Sequence, residues 1–95
     1  MPAYIIGEIQ ITDPEAYKRY TAQTPGVIRK YGGRFIVRGG AHQTIEGDWK
    51  PNRLVVLEFP SMEQARRWYD SDEYREPKAM RLRAGRANLV FVEGV

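Results

Sequence analysis

The stretch from Arg34 to Tyr74 constrains this chain more than any other. RFIVRGGAHQTIEGDW followed by RLVVLEFPSMEQARRWYDSDEY reads as strand, wide loop, strand and capped helix. An alternating segment from Ala3 to Ile11 precedes it, joined to it by a long helical stretch after Asp13, and ANLVFVE closes the chain. The predicted order is therefore βαββαβ. Two helices can cover only one side of a four-stranded sheet. Both sides of this sheet are rich in aliphatic residues, so the pattern predicts that the uncovered side packs against a second copy of the chain.

Local signals set the elements. Asp13 is suited to cap a helix, Pro14 to its first position, and Gly32-Gly33 to its end. Pro25 predicts a kink or restart near Thr24. Ser61 with Gln64 three residues on forms a capping box for the second helix, whose apolar stripe is Met62, Ala65, Trp68 and Tyr69. Asp70 to Asp72 interrupts that stripe, and Pro77 predicts a short turn and then a separate helical piece to about Ala84.

Side-chain parity divides the strands into two faces. One carries Ile5, Ile9, Ile11, Phe35, Val37, Val55, Leu57, Phe59, Leu89 and Phe91. The other carries Ile6, Ile36, Leu54, Val56, Val90 and Val92 with Tyr4, Glu8, Gln10, Arg38 and Glu58. Hydrophobicity predicts that the helices cover the first. Leaving six aliphatic side chains bare on the second forgoes roughly 1.5–3 kcal/mol each, which is the physical case for a homodimer.

Composition narrows the function classes. Ninety-five residues make a single domain over 1–95 and bury a modest core. With no cysteine, disulfides and thiolate chemistry are excluded, and one histidine argues against a structural zinc site. No metal or other cofactor is expected. No segment reads as a signal peptide or a membrane span, so the expected setting is the cytoplasm without membrane attachment. The charge of +3 comes from arginines interleaved with acids. They form no basic stripe for nucleic acid, but guanidinium groups suit carboxylate or phosphate ligands.

Several residues could carry chemistry. Parity places Glu8, Arg38 and Glu58 on one face, either as an acid–base site or as an ion-pair network that fixes the dimer register. His42 stands on the loop after Arg38-Gly39-Gly40, where it could move a proton or simply face solvent. Trp68 and Tyr69 could wall a pocket between helix and sheet, or pack as core among Tyr17, Tyr20 and Tyr74. Arg81, with Arg83 and Arg86, could clamp an anion or only end a helix.

Arg38-Gly39-Gly40, Glu46-Gly47-Asp48-Trp49, Arg53, Glu58-Phe59-Pro60-Ser61, Ala65, Trp68-Tyr69, Ser71, Glu73-Tyr74 and Arg81 together resemble domain-of-unknown-function family 1330. The resemblance covers nearly the whole chain. It implies a ferredoxin-like α+β fold, an antiparallel four-stranded sheet with helices on one face, dimerising sheet to sheet into an α/β barrel. Barrels of this architecture include cofactor-independent monooxygenases, muconolactone isomerases and haem-degrading enzymes. The family has no settled reaction, so the resemblance transfers no catalytic role. Arg38, Glu58, Trp68, Tyr69 and Arg81 match its motif positions; His42 does not.

Two functions follow as expectations. In the first, the protein binds or converts a small anionic or aromatic metabolite without a metal. Glu58 or His42 moves the proton, Arg38 or Arg81 holds the anion, and Trp68 and Tyr69 form the wall. In the second, it is a non-catalytic binding or assembly module whose polar residues stabilise the homodimer.

Overall fold

A computed structural model describes all residues, 1–95. The elements are β1 (Ala3–Ile11), α1 (Pro14–Lys30), β2 (Arg34–Arg38), β3 (Arg53–Phe59), α2 (Met62–Tyr69), α3 (Asp72–Ala84) and β4 (Gly85–Glu93). The strands form one antiparallel sheet in the order β2-β3-β1-β4. This is the expected βαββαβ arrangement, with the second helical region divided in two.

The helix boundaries follow from their caps. The Asp13 side chain accepts from the Ala16 amide, and Pro14 needs no donor at the first position. Ser61 accepts from the Gln64 amide to start α2. Ser71, unforeseen as a cap, accepts from the Tyr74 amide and starts α3. The break falls at Asp70–Ser71, so Pro77 lies inside α3 and does not begin it. Pro25 also lies inside a helix: α1 runs through it without interruption, contrary to the expected restart. No helix is long and apolar enough to cross a membrane.

All three helices lie on one side of the sheet. Beneath them are Ile5 and Ile9 of β1 and Leu57 and Phe59 of β3, each at most 5% exposed. From above, Tyr20 and Ile28 of α1, Trp68 of α2 and Tyr74 of α3 complete the core. The face richer in aliphatics thus takes the helices, as hydrophobicity predicts. The opposite face is open. Val90 and Val92 are 55% and 42% exposed, and Ile6 and Val56 are half-buried.

The edge strand β2 departs from simple alternation. Phe35 lies opposite Leu57, but Val37 lies opposite Val56, so Ile36 is an extra residue in a bulge. A single insertion reverses the side of every residue after it. Val37 therefore joins the open face. Arg38 lies opposite Val55 and turns under the helices, which corrects its predicted place beside Glu8 and Glu58.

Candidate functional site

A cavity of about 40 Å³ lies between the sheet and helices α1 and α3. That is roughly three times the 10–15 Å³ needed to hold one water. Ile5, Leu57, Val55 and Leu89 form its floor, and Tyr20, Tyr74 and Trp68 form its upper walls. Gly7 adds to the floor at a point where a Cβ would press on Leu89. Three arginines, Arg38, Arg53 and Arg81, line the same space, and no aspartate or glutamate does.

These arginines differ in depth. Arg38 is exposed and Arg53 half-buried, whereas Arg81 is only 4% exposed. Arg53 Nε donates to the Tyr17 hydroxyl at 3.2 Å. The chain turns at Gly39, in the left-handed region at φ 69°, where a Cβ would collide with the Arg53 guanidinium. Arg38 Nη2 donates to the Thr21 carbonyl at 3.3 Å, and its guanidinium sits 4.6 Å from the Phe35 ring centre.

Arg81 has one hydrogen bond, from Nε to the Tyr74 hydroxyl at 3.4 Å. Tyr74 in turn shares a buried 2.7 Å bond with the Tyr20 hydroxyl. Burial pushes both phenols above the ordinary tyrosine value of 10.0. At neutral pH they are uncharged, so neither neutralises the guanidinium. No carboxylate is paired with Arg81; the five ion pairs of the chain are all elsewhere.

Trp68 stacks 4.1 Å from Tyr74, centre to centre, and its Nε1 is buried without an acceptor. Tyr69 does not line the cavity. It stands behind the wall, edge-on to Trp68 and Phe91, with the Lys78 ammonium 4.2 Å over its ring.

The structure therefore brings Arg38, Trp68 and Arg81 together around one space. It leaves Glu58 and His42 outside it. Glu58 is on the open face, where it accepts from Arg34 Nε at 2.8 Å. That hydrogen bond holds its carboxyl below the ordinary 4.5. Glu8 is four positions along β1 from Tyr4, the residue opposite Glu58, so the two acids are separated by about 13 Å at 3.3 Å per residue. The expected Glu8–Arg38–Glu58 constellation does not form. His42 Nε2 donates to the Pro51 carbonyl at 2.8 Å and closes the exposed β2–β3 loop. Arg53, Tyr20 and Tyr74 are site residues to which sequence reasoning gave no separate role. For Arg53 a signal existed, since parity puts a charged group on the face of Val55.

The Domain of unknown function (DUF1330) family model matches residues 2–95. The chain belongs to this family. Comparison with curated proteins finds no match. Among solved structures, a protein of unknown function from Rhodopseudomonas palustris is similar at TM-score 0.80 and 18% identity, over 99% of this chain and 82% of the other. A dimeric ferredoxin-like protein of unknown function from Jannaschia sp. CCS1 follows at 0.74 and 11%, over 99% and 100%. SnoaB, a cofactor-independent oxygenase from Streptomyces nogalater, aligns at 0.68 and 9%, over 99% and 93%. At these identities the likeness shows the fold, which is ferredoxin-like. The DUF1330 chain thus has a known architecture and a cavity in its helix-covered half.

Proposed function

We propose that this DUF1330 protein is a homodimer in which each protomer binds a small anionic or aromatic organic molecule in the cavity beneath α1 and α3. The observation that carries this reading is the lining: aromatic and aliphatic walls, three guanidinium groups and no acid. Such a space favours an apolar body and a negative charge together. Trp68 forms the wall and Tyr69 supports it. Arg38 stands at the exposed rim and Arg81 at the interior. Any proton transfer in this space falls to the Tyr20–Tyr74 hydroxyl pair, since Glu58 and His42 do not reach it.

The oxygenase description of SnoaB supports chemistry without a cofactor on this fold, and the dimeric Jannaschia relative supports the dimer. A specific observation also favours the assembly reading for part of the motif. Glu58 and Arg34 pair on the open face, where they would lie at a protomer contact. In this combined reading the open face assembles and the covered face binds.

A protein-observed NMR screen of small organic molecules against the full chain tests the binding reading. Hits that are displaced by one another and perturb Trp68 are expected. A complete screen without any such hit overturns it.

A further inference from the structure

Arg81 is a cation inside the protein without a counterion. It is 4% exposed, lines the cavity, and makes a single long bond to a neutral hydroxyl. A guanidinium remains protonated at any accessible pH and presents five donors. Removing such a group from water without an ionic partner is strongly unfavourable. A residue with only a packing role would be served better by methionine or leucine.

We propose that the cavity seats a compact monocarboxylate with a flat apolar body, its carboxylate forked onto Arg81 and its body against Trp68 and Tyr20. This rests on the reading of the cavity as a small-molecule site and names the ligand class. Four features favour that class. One buried guanidinium balances one negative charge, and its two parallel N–H donors match the two oxygens of a carboxylate. The Tyr74 hydroxyl, beside Arg81 Nε, can supply a further donor. The remaining walls are apolar, so the body of the ligand has few polar groups to satisfy. The enclosed part of the space, about 40 Å³, holds roughly three waters, so it seats the carboxylate and the near edge of a single ring whose remainder lies towards the exposed Arg38 rim, and it excludes a fused polycycle. Arg38 and Arg53 at the rim give incoming anions a favourable field and are not needed for the final pairing.

Thermal melting of the full chain with benzoate, benzamide and inorganic phosphate, each at millimolar concentration, tests the proposal. Benzoate should raise the melting temperature, while benzamide, its neutral isostere, and phosphate should not. Arg81→Met should melt at or above the wild type when ligand-free and lose the benzoate response. Arg29→Met, at an exposed arginine of α1 outside the cavity lining, should keep the response. In the wild type, the Arg81 Nε–H resonance should move with benzoate and not with benzamide, which tests the contact even if Arg81→Met fails to fold. Equal shifts with benzoate and benzamide overturn the anion seat and leave the binding cavity standing. A phosphate response equal to that of benzoate overturns the apolar-body assignment. An unmoved Arg81 resonance, or an Arg81→Met protein that melts well below wild type and still responds to benzoate, overturns the proposal. Failure of the cavity reading itself is a separate result, seen as no competing ligand of any charge in the wider screen.

Discussion

Arg38 donates to the main-chain carbonyl of Thr21, 3.3 Å away. The reason that carbonyl is free lies in the sequence of α1. Pro25, four residues on, has no N–H to offer it. Across the groove, the Ile36 bulge turns Arg38 towards the helix. A helix interrupted in its hydrogen-bond ladder thus receives a donor from the neighbouring strand. Arg38→Met should destabilise by about 0.5–1 kcal/mol, as expected for a partly exposed hydrogen bond. In a Pro25→Ala background the amide at 25 competes for the carbonyl, and the same change should cost less. A urea double-mutant cycle measures the difference. Coupling indistinguishable from zero would show that Arg38 serves Phe35 alone.

Glu73 makes the acid limb of stability testable. It pairs with Lys30 and accepts from the Tyr31 hydroxyl at 2.8 Å, tying the end of α1 to the start of α3. Hydrogen bonds from Lys30, then Tyr31, hold its carboxyl near 2, below the ordinary 4.5. A carboxylate lowered on folding stabilises the native state above its unfolded value, and that contribution is lost as the pH falls through the folded one. Wild type should therefore lose stability between about pH 4.5 and about pH 2, and Glu73→Gln should show a shallower decline. Because the pair is at the surface, 0.5 M salt should weaken the difference. Parallel declines for both proteins in urea titrations across that range would contradict the assignment.

Trp68 separates packing from hydrogen bonding. Its ring is 2% exposed against Phe59 and Tyr74, yet its Nε1 has no acceptor. Truncation to alanine should cost about 3–5 kcal/mol. Trp68→Phe loses area but also removes an unsatisfied buried donor, itself a penalty of about 1–3 kcal/mol. The phenylalanine variant should therefore lie within about 1–2 kcal/mol of wild type. Denaturant midpoints for both variants measure this, and a phenylalanine variant as damaged as the alanine one would mean that Nε1 is bonded.

Alternation in β1, β3 and β4 identified the covered face correctly, because side-chain direction in an unbroken strand has no freedom. Asp13 and Ser61 announced their helices because a cap needs only its own amide three residues on. Ile36 gave no such warning. A bulge is set by how an edge strand meets its neighbour, and its one-residue shift moved Arg38 from the open face to the cavity. Pro25 did not restart the helix, and the carbonyl it leaves free receives its donor from Arg38, outside the helix. Arg81 was legible as a basic residue near a helix end. Its burial was not, since it depends on Tyr74 and Tyr20 closing over it from two elements. Glu58 was placed on the correct face, and that placement removed it from the cavity.

The open face leads to the last prediction. Val90 and Val92 on β4 are exposed, with half-buried Ile6 and Val56 beside them on β1 and β3. Val37, turned outward by the bulge, extends the patch to the far edge. No segment of the chain covers it; Trp49 from the β2–β3 loop reaches only the part around Ile6, Leu54 and Val90. Burying such a patch against its symmetry mate recovers apolar area on both copies at once. Sedimentation at micromolar concentration should give twice the 11.0 kDa chain mass. Val90→Lys should halve it, since a dimer would bury an ammonium without a partner. Leu82→Lys, at an equally exposed apolar residue on the helix side, should leave the dimer intact. A wild-type monomer would overturn the dimer, and loss of the dimer with Leu82→Lys and not with Val90→Lys would place the contact elsewhere. Because the cavity is built within one protomer, a folded Val90→Lys monomer should still bind its ligand, which separates assembly from binding in one protein.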